Sequence, residues 1–154
     1  MYRIAIVDDN EAWCYVLQTV LQQHDFTVLT FTDAHAFIKV AQQFDLALID
    51  FSMPARPFAR ELDGCEVINQ LKQTLKNPPF MVLTSAFFAQ DTLAIARELC
   101  PKADAYLSKT TSVTKIVELI TRTKSGKSST AQNTPNHQTR LNQLITQGSN
   151  IGIA

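Results

Sequence analysis

A chain of 154 residues has room for one domain with an ordinary core, and its 14 basic and 14 acidic side chains cancel. That balance excludes a whole-chain field drawing it to nucleic acid or to an acidic membrane. Cys14, Cys65 and Cys100 match neither a disulfide framework nor a zinc pattern, and no run approaches the roughly 18 apolar residues of a membrane helix. Met1-Tyr2-Arg3 leads straight into a strand-like run rather than a signal peptide, so a soluble, cytoplasmic protein with reduced structural thiols is expected.

Residues 3–7 predict a buried strand. From Asn10 to Gln23, Trp13, Val16, Leu17, Val20 and Leu21 recur at helical spacing and predict an inner face. Thr27 to Phe31 is β-branched and apolar, a second strand. Asp33 is placed to cap a helix with Ala34, Phe37, Ile38 and Ala41 inside. Residues 45–50 form the third strand. Asp63-Gly64 precedes a helix carrying Val67, Ile68, Leu71 and Leu75, which Pro78-Pro79 ends before a strand at 80–84.

An alanine-rich helix runs from Asp91 to Leu99, and residues 104–107 make the last strand. Ser112 then caps a helix with Val113, Ile116, Val117 and Ile120 inside. Strict alternation of strand and helix predicts an α/β fold: a five-stranded parallel sheet covered on both faces, doubly wound and flavodoxin-like, (βα)5, in strand order 2-1-3-4-5. Residues 1–124 form this domain. Residues 125–154 are too polar to pack and predict a flexible tail, with one short helix at 137–147.

The topology brings particular side chains to one edge. Asp8 and Asp9 end the first strand, Asp50 the third and Thr84 the fourth, while Lys109 follows the fifth. The C-terminal edge of such a sheet is where ligands bind. Adjacent acids after a strand also suit a helix N-terminus, and Thr84 or Lys109 alone would be unremarkable. A third carboxylate at the same edge changes that balance. Three neighbouring carboxylates repel unless a divalent cation joins them, and oxygen ligands select Mg²⁺ or Mn²⁺. Lysine and a hydroxyl beside a carboxylate suit phosphoryl transfer.

These residues sit in Ile6-Val7-Asp8-Asp9-Asn10-Glu11, Leu48-Ile49-Asp50, Met53-Pro54, Asp63-Gly64, Val82-Leu83-Thr84-Ser85 and Ala103-Asp104-Ala105-Tyr106-Leu107-Ser108-Lys109. In that order and spacing, residues 2–124 resemble the receiver domain of two-component response regulators, in particular the single-domain, chemotaxis-regulator-like kind. The resemblance implies that Asp50 accepts a phosphoryl group from a histidine kinase or histidine phosphotransfer protein. It implies Mg²⁺ on Asp9, Asp50 and the Ser52 backbone carbonyl, with Asp8 behind them or bound through water. Lys109 and Thr84 would contact the phosphoryl oxygens. Thr84 and Tyr106 would then shift together, switching the face of helix 4, strand 5 and helix 5 toward a downstream protein. Such a domain is a phosphoacceptor rather than a turnover enzyme. It binds no other cofactor, and neither nucleic acid nor membrane directly. Receivers commonly dimerise through the same face, and the sequence leaves the oligomeric state open.

The chain also departs from the pattern. Eight residues, 55–62, separate Met53-Pro54 from Asp63-Gly64, where receivers have a shorter step. They read as a solvated loop, with Arg56 and Arg60 giving the alternative of a loop that covers the phosphoryl group. Thr110 follows Lys109 where receivers mostly have proline. A cis bond there would cost about 3–4 kcal/mol, so a trans bond or a strained exception is expected, with a shift in where Lys109 points. Lys102 replaces a common glycine, predicting a different turn after helix 4. Ser52 and Ala86 occupy small-residue positions that influence phosphoryl lifetime in the family.

Four other readings compete. A haloacid-dehalogenase-like phosphatase would carry its nucleophile in Asp-x-Asp after strand one, where this chain has Asp8-Asp9-Asn10. A flavodoxin-like cofactor binder would want a Ser/Thr/Gly-rich phosphate loop there. An atypical receiver would serve as an unphosphorylated binding module. Lastly, the chain would be the receiver part of a larger regulator, with residues 125–154 a linker stub.

Overall fold

Two-sided burial dictates the sheet. In the computed structural model, which describes residues 1–53, 62–86 and 93–128, the strands are β1 (Arg3–Val7), β2 (Thr27–Phe31), β3 (Leu46–Asp50), β4 (Phe80–Ser85) and β5 (Ala105–Ser108). They pair in parallel in the order β2-β1-β3-β4-β5. Between them lie α1 (Glu11–Gln23), α2 (Ala34–Ile38), α3 (Gly64–Thr74), α4 (Leu93–Leu99) and α5 (Val113–Ser128). The expected α/β order is the one found.

Alternate residues of each strand enter different cores. Ile4, Ile6, Leu46, Leu48, Val82 and Leu107 pack with Leu17 and Leu21 of α1 and Ile116 and Ile120 of α5. Ala5, Val7, Ala47, Ile49, Met81 and Leu83 face Phe37, Val67, Ile68 and Leu71 on the other side. Helices on both faces explain why the central strands are almost wholly apolar. Each fully buried Leu, Ile or Phe contributes about 1.5–3 kcal/mol of transfer free energy.

Helix starts follow the capping chemistry. The Asn10 side chain accepts the Trp13 N–H at 3.0 Å. Asp63 and Glu66 form a reciprocal capping box at α3, and the Ser112 hydroxyl accepts the Lys115 N–H at the start of α5. One inner-face expectation needs correction: Val16 is 50% exposed and Cys14 takes the buried position on α1, whereas Ile38 and Leu75 are half-buried and pack against the core. Helix α2 stops at Ile38 and a 3₁₀ turn, Ala41–Gln43, follows. The Val40 N–H bonds the Phe37 carbonyl at 2.9 Å, tightening the chain where β-branched Ile38 and Val40 disfavour continued α-helix.

Helix α5 continues through Ser125-Gly126 to Ser128. The hydroxyls of Thr121, Thr123 and Ser125 are absorbed by carbonyls one turn back, so polar residues extend the helix instead of ending it. The helix expected at 137–147, the insertion residues Arg56 and Arg60, and the start of the helix at Asp91 lie outside the described residues. No helix among the described residues is long and apolar enough to cross a membrane.

At the sheet edge opposite the acidic cluster, buried Asp104 fastens β4. Its carboxylate accepts the Met81 N–H at 2.8 Å and receives Lys72 Nζ on both oxygens at 2.8 and 2.9 Å. Asp104→Ala would strand a buried donor and a partly buried ammonium, so a loss of about 2–3 kcal/mol is expected in denaturant unfolding. An unchanged midpoint would refute that role.

Candidate functional site

Strand register sets the acidic edge. In the β1–β3 pairing Val7 lies opposite Ile49, so Asp8 and Asp50 are the next residues on neighbouring strands. In the β3–β4 pairing Asp50 lies opposite Thr84. Carboxylate oxygens of Asp8, Asp9 and Asp50 all fall within 4.8 Å of one another. Asp8 and Asp50 are buried, whereas Asp9 is exposed and opens the cluster to solvent.

The backbone holds these groups firmly. One Asp8 oxygen accepts the Asn10 N–H at 2.8 Å. The Phe51 N–H donates to the Thr84 carbonyl at 2.8 Å and the Lys109 N–H to the Ser85 carbonyl at 3.0 Å, tying three strand ends together. Behind Asp50, the Gly64 N–H bonds the Phe51 carbonyl at 2.9 Å. A β-carbon on Gly64 would lie 2.3 Å from the Asp50 carbonyl oxygen. Glycine is therefore required by close approach of α3 to the end of β3.

Lys109 points into the cluster. Its ammonium is 2.5 Å from Asp8 Oδ2 and 3.2 Å from Asp50 Oδ2. Burial works to lower its pKa, but the hydrogen bond to Asp8 and the charges of Asp50 and Asp8 prevail and hold it above the ordinary lysine value. Burial, followed by the Asp8 charge, pushes Asp50 up to about 6 against the opposing pull of Lys109. Three carboxylates against one ammonium leave two excess negative formal charges at this edge.

The peptide bond from Lys109 to Thr110 is trans, as are the others among the described residues. The loop is stiffened another way: the Thr110 N–H reaches Ser108 Oγ at 3.2 Å, the Ser108 and Thr110 hydroxyls are 2.7 Å apart, and the Thr111 N–H bonds the Ser108 carbonyl at 3.0 Å. Lys102 sits in a turn closed by the Ala103 N–H on the Cys100 carbonyl at 3.3 Å. Among the described residues only Asp25 has positive φ, so that turn needs no glycine.

Thr84 is fully buried, and its hydroxyl has no hydrogen-bond partner among the described residues. An orphaned hydroxyl beside Asp50 suits an oxygen that arrives with a ligand. Tyr106 is buried in the α2–α3–α4 core; its hydroxyl donates to the Cys100 carbonyl and Arg97 lies 6.0 Å from the ring centre. Ser52 is exposed just beyond Asp50, and Ala86 is exposed beyond β4.

Sequence reasoning missed one contact here. Trp13 faces Lys109, its ring centre 5.1 Å from Nζ. Only its position in the first turn after Asp9 hinted at this. The Asp63-Gly64 pair was legible as a motif, but its steric meaning needed the packing of α3.

The sequence model of the response regulator receiver domain matches residues 4–121. This chain belongs to the response regulator receiver family. The receiver is 33% identical over 85 residues to the alkaline phosphatase synthesis transcriptional regulatory protein PhoP of Bacillus subtilis, covering 54% of this chain and 33% of PhoP. It is 28% identical over 129 residues to the response regulator SaeR of Staphylococcus aureus, covering 80% of this chain and 53% of SaeR. The chain thus spans a third to about half of the length of these relatives.

Among solved structures, the receiver resembles the response regulator TrrA of Thermotoga maritima, crystallised in complex with Mg²⁺-BeF, at a TM-score of 0.65 and 22% identity over 80% of this chain and 99% of that one. A CheY-like receiver domain from Methanospirillum hungatei matches at 0.63 and 22% identity, covering 79% and 92%. The flavodoxin-like receiver fold is thereby shown, and the receiver's general role is signal transduction in two-component phosphorelays.

Proposed function

We propose that Asp50 is the phosphoacceptor of this receiver and that its donor is a phosphohistidine on a histidine kinase or phosphotransfer protein. The carrying observation is the carboxylate cluster, with Lys109 across it and the unpartnered Thr84 hydroxyl opposite Asp50. An Asp50 carboxylate oxygen forms the new bond to phosphorus. The bond from phosphorus to the donor imidazole nitrogen breaks, and the imidazole leaves with the bonding pair and takes up a proton. Water later cleaves the acyl phosphate, returning Asp50 and inorganic phosphate.

Asp9, Asp50 and the Ser52 carbonyl are the groups that would hold Mg²⁺, with Asp8 behind them. The donors are all oxygen and the edge carries two excess negative charges, which suits a hard divalent cation. When bound, it neutralises charge on the phosphoryl oxygens and the carboxylates. Lys109 supplies the remaining positive charge beside Asp50. Thr84 offers its hydroxyl to one phosphoryl oxygen, and Tyr106 responds on the strand behind it. The readout is a protein contact at the α4–β5–α5 face, where Ile95 and Leu99 are 53% and 62% exposed.

Beryllofluoride with Mg²⁺ tests this reading without dependence on adduct lifetime. Binding that perturbs Thr84, Tyr106 and α4 amide resonances in wild type, and disappears in Asp50→Ala, is expected. Binding retained in Asp50→Ala would sink the assignment. Thr84→Val separates function from stability. Removing a buried unpaired hydroxyl should leave the metal-free receiver equally stable or more stable by about 1 kcal/mol, while slowing adduct formation from acetyl phosphate. A valine variant that loses stability and keeps its rate would contradict that role.

A further inference from the structure

Lys109 is held by two kinds of contact. Its ammonium pairs with Asp8 and Asp50, and it also lies 5.1 Å from the centre of the Trp13 ring, the one tryptophan of the chain. Trp13 is itself fixed in the first turn of α1, where its N–H is capped by Asn10, and it packs partly buried against the α1–α5 core.

These contacts respond differently to positive charge at the acidic edge. Asp8 and Asp50 belong to the group of carboxylates able to hold a cation, so an ion there competes with Lys109 for the same oxygens. Lysine ends a flexible stem and would be free to leave. The indole face neither titrates nor ligates a hard cation, and its attraction for an ammonium persists.

We propose that Trp13 is a positioning residue that keeps Lys109 aimed at Asp50 when a divalent cation occupies the carboxylates. The proposal rests on the reading of Asp50 as phosphoacceptor. Trp13 touches no reacting atom in this account and acts only through the lysine.

The test compares wild type with Trp13→Phe, which keeps a ring, and Trp13→Leu, which keeps only apolar bulk. With saturating Mg²⁺ and acetyl phosphate, adduct formation should slow about three- to tenfold in Trp13→Leu and less in Trp13→Phe. Mg²⁺ affinity by calorimetry should not change. In a Lys109→Ala background, Trp13→Leu should have no further effect. A readout independent of phosphorylation is NMR of the Lys109 ε-methylene protons, whose upfield ring-current shift should survive Mg²⁺ saturation.

Loss of that shift on adding Mg²⁺ would overturn the proposal. So would a wild-type rate in Trp13→Leu, or an equal slowing in the absence of Lys109. If wild type takes neither a phosphoryl group nor beryllofluoride while the ring-current shift persists, the phosphoacceptor reading fails, and the role of Trp13 in transfer falls with it.

Discussion

Gly64→Ala should cost this receiver about 3 kcal/mol or more and should damage it at the acceptor itself. The added β-carbon would meet the Asp50 carbonyl oxygen at 2.3 Å, the Asp50 carbonyl carbon at 2.9 Å and Leu83 Cδ1 at 3.0 Å. The first two are backbone atoms of a central strand, so no rotamer change relieves them. Helix α3 is poorly placed to retreat either, because the capping box and the Gly64 N–H bond to Phe51 anchor its start. Relief must move the end of β3, and Asp50 with it. The expected result is a large fall in the denaturant midpoint together with loss of Mg²⁺-dependent beryllofluoride binding. A variant within about 1 kcal/mol of wild type that still binds the analogue would show that α3 has slack, contrary to this packing.

Asp50→Asn should abolish phosphoryl acceptance and yet stabilise the metal-free protein. Asp50 titrates at about 6 when folded and near 3.8 when unfolded, because burial and the Asp8 charge disfavour its ionised form more than Lys109 favours it. Between those values the folded state binds the extra proton. Stability therefore falls as pH rises from about 3.8 to 6, and the deficit is complete above 6. A gap of two units corresponds to up to about 3 kcal/mol. Asparagine carries no such charge, so the variant should be more stable than wild type by about 1–3 kcal/mol near neutrality. That advantage should shrink as pH falls below 6 and should also shrink when Mg²⁺ is added to wild type. Unfolding curves of both proteins across pH check this, and a pH-independent difference would contradict the assigned cause.

The fold was legible because burial on both faces leaves a simple trace. Runs such as Ile4-Ala5-Ile6-Val7 and Leu46-Ala47-Leu48-Ile49 admit few alternatives when helices lie between them. Asp8, Asp9, Asp50, Thr84 and Lys109 could be brought to one edge from strand ends alone, since parallel strands must present the same ends together. Helix faces were less readable. On α1, Val16 and Cys14 are two positions apart, and only the angle at which the helix meets the sheet decides which is buried. The end of α5 was hidden because hydroxyls that favour turns can also satisfy carbonyls one turn back.

The site lost detail for a related reason. The Trp13–Lys109 contact joins the first helix to the turn after the last strand, and the Gly64–Asp50 approach joins α3 to β3. Neither follows from spacing along the chain. The effect of Thr110 turned on the hydroxyl of Ser108, which a proline-centred expectation did not consider.

The most direct test of the central claim is the intact mass of the receiver after incubation with acetyl phosphate or phosphoramidate and Mg²⁺. Wild type should gain the mass of one phosphoryl group, lose that gain with EDTA, and show none as Asp50→Ala. A full adduct on Asp50→Ala would contradict the account, as would a wild type that binds Mg²⁺ yet takes neither a phosphoryl group nor beryllofluoride.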